Sequence, residues 1–459
     1  MQGSWRTRLL SPFAMPVLFF GLTILAGSFL LEMEPSLAGQ PISWLDALFT
    51  STSATCVTGL VVKDTGSFFS QFGQVVILLL MQVGGLGIMT YTTLVLYLIK
   101  RRITLTDHLV VGQSLLNDPA FSLGRFLLRV VLGTLVIEAA GALSLWRLDP
   151  AGFEPFSAVF HAVSAFCNAG FSLFPNSLSD WRANTGVNMV FILLITLGGL
   201  GFHVLTELAH KLKHTLLRML GSENARPERL SWTTRLVLST SVFLSLGGAI
   251  AIYLAEMAGG ESWGNGYVEF IASLFQSVTC RTAGFNTIEI SHMTNVSLVF
   301  MLFLMFVGGS PGSCAGGIKT TTLRALWGFV ISQMKGHRQI RLGRCALKPT
   351  SMQRAFTLVV FALLFITVST IVLNMTEGGD VPHIYARGRF LESLFEVISA
   401  FGTVGLSMGL TAKLTPVGKV VIILMMFVGR IGPICVLTAL QSWQRETHYR
   451  LPEDDLPLG

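Results

Sequence analysis

Charged residues are scarce in this chain: Asp, Glu, Lys and Arg together account for 12% of its 459 residues, whereas hydrophobic residues account for 51%. A soluble globule of this length needs more polar side chains to cover its surface. The mean hydropathy of +0.64 agrees with this. The scarcity of charge therefore excludes an ordinary soluble protein and indicates an integral membrane protein.

Clustered chemical groups are also missing. His161 and His203 lack the spacing of a metal-ligand set or a catalytic triad, so we expect no enzyme. The glycines of 84–87 lie inside an apolar run and cannot form a phosphate loop after a strand, so we expect this chain to bind no nucleotide itself. The cysteines form no C-x-x-C pair and are expected to be buried thiols, neither a disulfide framework nor a metal site. They are Cys56, Cys167, Cys280, Cys314, Cys345 and Cys435.

The sequence contains several long apolar runs. About 20 apolar residues cross the hydrocarbon core of a bilayer as a helix. Runs that approach or exceed this length are 16–31, 73–99, 126–146, 187–208, 236–255, 355–373 and 418–440. Arg6 and Arg8 before the first run resemble the start of a secretory signal. We prefer an uncleaved first span, and cleavage stays the open alternative.

A short glycine-containing segment occurs four times, at 53–60, 164–171, 279–285 and 399–406. Its glycines, Gly59, Gly170, Gly284 and Gly405, follow one another at intervals of 111, 114 and 121 residues. So regular a period indicates an internal repeat. We assign the repeats to 10–105, 120–215, 230–340 and 350–445, the third with a broken second helix.

Each repeat has an apolar span, a shorter run, the glycine segment and a second span. The shorter runs, 43–55, 155–166, 267–279 and 388–401, are too short to cross the bilayer. Each has an acid near its start, which favours a helix N-terminus: Asp46, Glu154, Glu269 and Glu392. Irregular backbone at membrane depth is stable only inside protein or along a water-filled cavity. The sequence therefore predicts an all-α membrane protein with four helix–pore-helix–helix repeats in pseudo-fourfold symmetry around one central pore.

The glycine segments suit the binding of a dehydrated cation. Such an ion needs a cage of oxygen atoms, which an extended backbone supplies through its carbonyls, and glycine allows dihedrals that other residues avoid. The segment side chains are neutral apart from Arg281, which favours a monovalent cation over calcium. The expected selectivity filter comprises Val57, Thr58, Gly59, Asn168, Ala169, Gly170, Thr282, Ala283, Gly284, Thr403, Val404 and Gly405.

The second span of the third repeat is interrupted. It stops after Val307 and resumes after Lys319, with glycines, serines and a proline between them that do not continue a helix. A glycine-rich helix packing face is the alternative. We expect a broken helix that gates the pore beneath the filter, formed by Gly308, Gly309, Ser310, Pro311, Gly312, Ser313, Gly316, Gly317 and Lys319.

Arg430 joins this expected gate because it lies in an apolar span, where a charge is costly and usually functional. Its expected partners are carbonyls of the interrupted segment; pairing with a carboxylate or reaching the lipid headgroups are the alternatives. Four other isolated polar residues are given no role: Glu138, His161, His203 and Glu207.

Basic residues cluster in three connections, at 100–102, 211–235 and 335–354. By the positive-inside rule these face the cytoplasm, which places both termini inside and the glycine segments in the outer half of a cytoplasmic membrane. The net charge of +7 then belongs to that face, where it can attract anionic lipid headgroups. We expect no nucleic-acid partner.

These motifs resemble those of the Trk/Ktr/HKT superfamily of potassium transporters, and most of all the ion-translocating membrane subunit of the bacterial Ktr system. The resemblance covers nearly the whole chain. Its motifs are Val57-Thr58-Gly59-Leu60, Gly84-Gly85-Leu86-Gly87, Gly198-Gly199-Leu200-Gly201-Phe202, Arg281-Thr282-Ala283-Gly284-Phe285-Asn286, Gly316-Gly317-Ile318-Lys319, Gly402-Thr403-Val404-Gly405-Leu406 and Gly429-Arg430-Ile431-Gly432-Pro433.

The resemblance implies potassium uptake, homodimers, and regulation by a cytoplasmic ring of nucleotide-binding subunits. Serine in place of the first filter glycine goes with sodium selectivity in plant relatives, so Gly59 favours potassium. Sodium as an activator, a Trk-type potassium/proton permease and a sodium-selective permease of the same fold stay open as alternatives.

Overall fold

The computed structural model describes residues 14–86, 123–220, 229–260, 264–337, 339–343, 345–378, 381–386 and 388–432. Several predictions lie outside these residues: the basic cluster 100–102, the C-terminal parts of the spans 73–99 and 418–440, the residues before the first span, Cys435 and the placement of both termini.

Helices account for nearly all regular structure in the described residues. In chain order they are α1 (Ala14–Glu32), α2 (Trp44–Thr55), α3 (Gln71–Gly85), α4 (Leu123–Leu148), α5 (Pro155–Cys167), α6 (Thr185–Leu200), α7 (Phe202–Met219), α8 (Trp232–Gly259), α9 (Gly266–Thr279), α10 (Asn295–Phe306), α11 (Thr320–Met334), α12 (Pro349–Thr376), α13 (Arg389–Gly402) and α14 (Pro416–Ile431). A helical turn, Thr65–Phe68, precedes α3. Two short antiparallel strands, β1 (Arg341–Leu342) and β2 (Cys345–Ala346), connect α11 to α12.

Three described helices are long and apolar enough to cross a membrane: α4 over Leu128–Leu148, α8 and α12. They expose large apolar side chains such as Val136, Phe243 and Leu364, as expected of surfaces that face lipid. The predicted span 187–208 is not one continuous helix, because α6 and α7 meet at an angle of 110°. The break falls at Gly201, whose φ of +93° is accessible to glycine and rarely to other residues.

The four short runs form α2, α5, α9 and α13, each within one residue of its predicted bounds. Side chains cap two of their N-termini: that of Ser43 accepts from the backbone N–H of Asp46, and that of Asn265 accepts from Val268. Capping satisfies backbone donors that a helix leaves unpaired. We refer to these four as the half-helices; their C-terminal halves are buried.

Helix contacts close a ring. α3 packs on the half-helix α5, α6 on α9, α10 on α13, and α14 returns to α2. Glycines in three of these second helices permit a close approach, since a Cβ atom there would clash with a main-chain oxygen of a half-helix. The glycines are Gly84, Gly198 and Gly429, and the oxygens belong to Thr55, Phe166 and Phe401. Packing therefore accounts for part of the glycine-rich motifs.

The contact of α14 with α2 includes an ion pair between Lys419 Nζ and Asp46 Oδ1, 2.6 Å apart. Both side chains are largely buried, at 17% and 11% exposure, and removing one partner of such a pair leaves an uncompensated charge. We expect Asp46→Asn to lower stability by about 2 kcal/mol, a value reduced for the remaining exposure. Thermal unfolding of the purified protein measures this.

Glu154→Gln is the matched control for the ion pair, because Glu154 also lies at the start of a half-helix but is exposed and makes no side-chain cap bond. The control is expected to unfold near the wild-type temperature. Equal losses in Asp46→Asn and Glu154→Gln would assign the effect to the helix N-terminus and contradict a role for the pair.

Candidate ion pathway

The four glycine segments share one alternation of backbone conformation. Each glycine has a positive φ, between +69° and +93°, and the residue two positions earlier also has a positive φ, between +51° and +79°. Those earlier residues are Val57, Asn168, Thr282 and Thr403. Positive φ is unusual for β-branched residues and concentrates at functional sites. Alternation of this kind turns successive carbonyl groups toward the same side of the chain.

The four glycines meet one another. A Cβ atom at Gly59 would lie 2.5 Å from the carbonyl oxygen of Ala169, and one at Gly170 would lie 2.9 Å from that of Ala283. Cβ atoms at the other two glycines would clash with the next segments in the same way: Gly284 with Val404 O, and Gly405 with Thr58 O. Backbone atoms therefore line the place where the segments converge, which we call the glycine ring.

Hydrogen bonds to the half-helices hold each segment in place. The backbone N–H before the glycine donates to a carbonyl near the half-helix C-terminus: Thr58 to Ser53 at 2.8 Å, Ala169 to Ser164 at 2.7 Å, Ala283 to Thr279 at 2.9 Å and Val404 to Ser399 at 2.8 Å. The hydroxyls of Ser53 and Ser399 also accept from the N–H groups of Gly59 and Gly405, each at 3.1 Å. The carbonyl positions are thus fixed by a rigid scaffold.

A cavity of about 630 Å³ lies on one side of the glycine ring. All four glycines line it, together with residues that follow them, among them Ser172 and Ser407. We call this the mouth cavity. A polar vestibule that ends on a ring of backbone is suited to receive a hydrated ion and to exchange its water for carbonyl oxygens.

The interrupted segment follows α10 and touches the opposite end of the glycine segments. A Cβ atom at Gly308 would approach the Thr282 side chain, one at Gly316 would clash with Thr403, and one at Gly317 would lie 3.4 Å from Gly402 Cα. The predicted break is confirmed, since α10 ends at Phe306 and α11 begins at Thr320. We call residues 307–319 the intramembrane loop.

Contacts with the second repeat anchor this loop. Ser310 N and Cys314 N donate to the carbonyls of Gly199 and Gly198, at 3.0 and 3.2 Å, and Phe202 N donates to Gly312 O at 3.0 Å. These contacts fall at the break between α6 and α7. The sequence predicted neither that break nor its contact with the loop, because each is formed by residues far apart in the chain.

Arg430 ties the loop to two other repeats. Its guanidinium donates to the carbonyl oxygens of Cys314 in the loop and Gly84 in α3, and its side chain is 5% exposed. Carbonyl partners were expected, and the alternatives of a carboxylate partner or a lipid-facing position are wrong. Lys319 Nζ adds a bond within the loop, to Ala315 O at 2.6 Å.

Other candidates lie away from the ring. Arg281 turns to α8, where it donates to Ser241 and Ser245, so its charge does not line the glycine ring. Cys56, Cys167, Cys280 and Cys314 are buried thiols as predicted, whereas Cys345 is exposed in β2 and corrects that expectation.

Three of the four unassigned polar residues, Glu138, His161 and Glu207, have side-chain hydrogen-bond partners. Glu138 accepts from Gln82 at 3.2 Å, and Glu207 accepts from Ser231 and Thr234 at the start of α8. His161 contacts Ser172 behind the mouth cavity. Glu396, which the sequence analysis missed, contacts Ser407 in the same way. A signal for it existed: His161 and Glu396 each precede their segment glycine by nine residues.

Comparisons with known proteins agree with this geometry. Residues 15–445 match the family model described as TrkH, cation transport protein. The Ktr system potassium uptake protein B of Bacillus subtilis is 37% identical, over 98% of this chain and 97% of that protein. The potassium/sodium uptake protein NtpJ of Enterococcus hirae is 35% identical, over 96% of this chain and 95% of that protein.

A solved structure has the same fold. The crystal structure of the potassium transporter TrkH from Vibrio parahaemolyticus superposes with a TM-score of 0.73 at 21% identity, covering 96% of this chain and 87% of that chain. Since the family model spans nearly the whole chain and several relatives exceed 30% identity, this chain belongs to the TrkH family of cation transport proteins.

Proposed function

We propose that this protein takes up potassium across the cytoplasmic membrane through a selectivity filter at the glycine ring. The observation that carries the proposal is the convergence of the glycine segments, where a Cβ atom at any of the four glycines would meet the carbonyl oxygen of the next segment. Four helix–pore-helix–helix repeats then surround one pore, with the half-helices directed at the filter.

The filter comprises 57–59, 168–170, 282–284 and 403–405, and it coordinates the ion through backbone carbonyls. No acidic side chain occurs in these residues, and a divalent ion such as calcium prefers carboxylate ligands. The names of the relatives favour potassium. The name of the Enterococcus protein includes sodium, so a sodium-dependent or sodium-selective permease is the second candidate.

The intramembrane loop and Arg430 form the gate of the proposed pore. The loop adjoins the glycine segments opposite the mouth cavity, and its anchors in α6, α7 and α14 are groups that a conformational change can release. A cytoplasmic nucleotide-binding ring regulates the gate by binding its two conformations with different affinity. The subunit functions as a homodimer, with both termini in the cytoplasm.

Growth of a potassium-uptake-deficient bacterium at limiting potassium tests the proposed function. We expect expression of this chain to restore growth, more strongly when its regulatory subunit is expressed with it. Parallel cultures with and without sodium separate the two candidates. A correctly inserted protein that restores no growth and catalyses only sodium uptake would overturn potassium as the substrate.

Shortening the loop tests the proposed gate. Val307 and Ile318 pair as an isolated bridge at the base of the loop, so 311–314 can be removed while α10 and α11 stay joined. The deletion removes the Cys314 N–H bond to α6, the Phe202 N–H bond to Gly312 O and the Cys314 carbonyl that Arg430 binds. It is expected to raise uptake in the absence of the partner about tenfold, as follows from about 1.4 kcal/mol of lost contacts. Rubidium uptake measures this.

Cys314→Ala is the control for the deletion, because it keeps the loop length and the carbonyl that Arg430 binds. Its uptake should match that of the wild type. The ratio of potassium to sodium uptake should be unchanged in both variants, since the filter is intact. A folded deletion variant whose uptake stays low and fully partner-dependent would place the gate elsewhere.

A further inference from the structure

The half-helices carry a buried polar side chain at one equivalent position. The carbonyls that anchor the segments, on Ser53, Ser164, Thr279 and Ser399, mark corresponding positions in the four repeats. Three of them precede the segment glycine by six residues, and Thr279 precedes Gly284 by five. Three residues before each of them stand Thr50, His161, Gln276 and Glu396. None of the four is more than 1% exposed. Burying polar groups is costly unless they are hydrogen-bonded, so four at one level need a reason.

Two of these side chains, His161 and Glu396, form hydrogen bonds with residues that follow the filter glycine of their repeat. His161 Nε2 lies 3.1 Å from Ser172 Oγ and 3.3 Å from the Leu173 backbone N–H. Glu396 accepts from Ser407 at 2.9 Å and also from Thr411. Ser172 and Ser407 each follow their segment glycine by two residues and line the mouth cavity. The second and fourth repeats thus share one arrangement.

The other two repeats lack it. Thr50 donates to the carbonyl of Asp46 within its own helix. Gln276 has no hydrogen-bond partner among the described residues, and the segment beyond its glycine is instead held by the second repeat, through Asn286 N to Ser177 Oγ at 3.3 Å. Ser172 and Ser407, the serines bound to His161 and Glu396, therefore belong to alternate repeats of the ring.

Both buried groups act as proton acceptors toward the serines. His161 Nδ1 lies 2.8 Å from Ser157 O and so carries the ring proton, because a carbonyl can only accept. Nε2 then accepts, as its contact with the Leu173 N–H requires. An ionised Glu396 also accepts only. Each serine hydroxyl consequently points its hydrogen into the protein. Its oxygen accepts one backbone N–H, from Phe174 at Ser172 and from Gly409 at Ser407, each at 3.0 Å, and its second lone pair is left for the cavity.

We propose that His161 and Glu396 are positioning residues that orient the hydroxyls of Ser172 and Ser407 as acceptors for a monovalent cation at the mouth of the filter. The two oxygens replace part of the hydration shell before the ion reaches the carbonyls. This inference rests on the proposed potassium uptake, which it deepens by assigning an outer binding site made of side-chain oxygens.

A double-mutant cycle on rubidium uptake tests the inference. Ser407→Ala removes the oxygen, and Glu396→Gln presents an amide that can donate to the serine and turn it. Each single change is expected to raise the KM for rubidium about threefold to fivefold with little change in the maximal rate, the range for one lost hydrogen-bond acceptor. The double variant should have the KM of Ser407→Ala alone, because Glu396 acts through that hydroxyl.

The pair in the second repeat provides an independent measurement: His161→Gln and Ser172→Ala should form a cycle of the same kind. Thr50→Val is the matched control, since among the described residues its hydroxyl bonds within α2, to the carbonyl of Asp46, and its KM should stay at the wild-type value.

The outcomes separate this inference from the function on which it rests. Wild-type protein that takes up no rubidium or potassium overturns the proposed function itself. If the wild type is active, two results overturn the positioning role and leave the proposed uptake in place. One is that the KM changes of the two single variants add in the double variant; the other is that the variants lose thermal stability while their KM is unchanged.

Discussion

Gly59→Ser is expected to lower the preference for potassium over sodium by roughly tenfold to a hundredfold. A Cβ atom at this position would lie 2.5 Å from the Ala169 carbonyl oxygen and 2.9 Å from Gly170 Cα, so that oxygen must move out of the ring. An interaction with a charged group contributes about 1.5–3 kcal/mol, and each 1.4 kcal/mol is a factor of ten. Competition of sodium with rubidium uptake measures the change.

Gly39→Ser is the control for backbone strain. Gly39 also has a positive φ, +103°, but a Cβ atom there meets nothing within 4 Å. Any loss of stability that comes from the unfavourable dihedral alone appears in both variants, whereas loss of selectivity should be confined to Gly59→Ser. If the folded Gly59→Ser protein keeps wild-type selectivity, Gly59 does not belong to the filter.

Much of the fold follows from local patterns. Half-helix bounds were predicted to within one residue because an acid near the start and the following glycine mark the ends of short apolar runs. The break in the third repeat was predicted because glycines and a proline interrupt an otherwise apolar span. Each of these signals acts through the chain over a few residues.

Long-range geometry accounts for the errors. Gly201 sits in an apolar run that reads as one span, and the bend there accompanies a bond between Phe202 N and Gly312 O in another repeat. Glu396 lies on an amphipathic half-helix where a carboxylate suggests a solvated face, yet its partners Ser407 and Thr411 bury it. Such contacts depend on how the repeats meet.

The four segment glycines show both the local signals and the long-range geometry. Their period indicated a repeat, and their chemistry indicated backbone coordination, but the sequence contained no measure of their separation. The need for glycine follows from the approach of adjacent segments, in which Gly170 Cα lies close to the Cβ position of both Gly59 and Gly284. Repetition predicts which residues are equivalent, and packing decides that a side chain at any of them must displace the neighbouring segment.

Arg430→Gln is expected to raise uptake about tenfold in the absence of the regulatory subunit. The guanidinium spans two carbonyls in different repeats, Cys314 O and Gly84 O, and a single amide cannot reach both in the same fixed geometry. Losing one charge-assisted bond of about 1.5 kcal/mol corresponds to that factor. Labelling of Cys314, now buried, in a variant with no other cysteine should become faster as the loop is released.

Arg430→Lys distinguishes two roles of Arg430: holding the loop by hydrogen bonds, and obstructing the ion by its positive charge. Lysine keeps the positive charge beside the pore but presents a point donor in place of the guanidinium fork. If Arg430 holds the loop, Lys releases it in part and uptake lies between wild type and Gln; if the charge alone obstructs the ion, Lys matches wild type. A well-folded Arg430→Gln protein with ordinary uptake and ordinary Cys314 labelling would remove Arg430 from the gate.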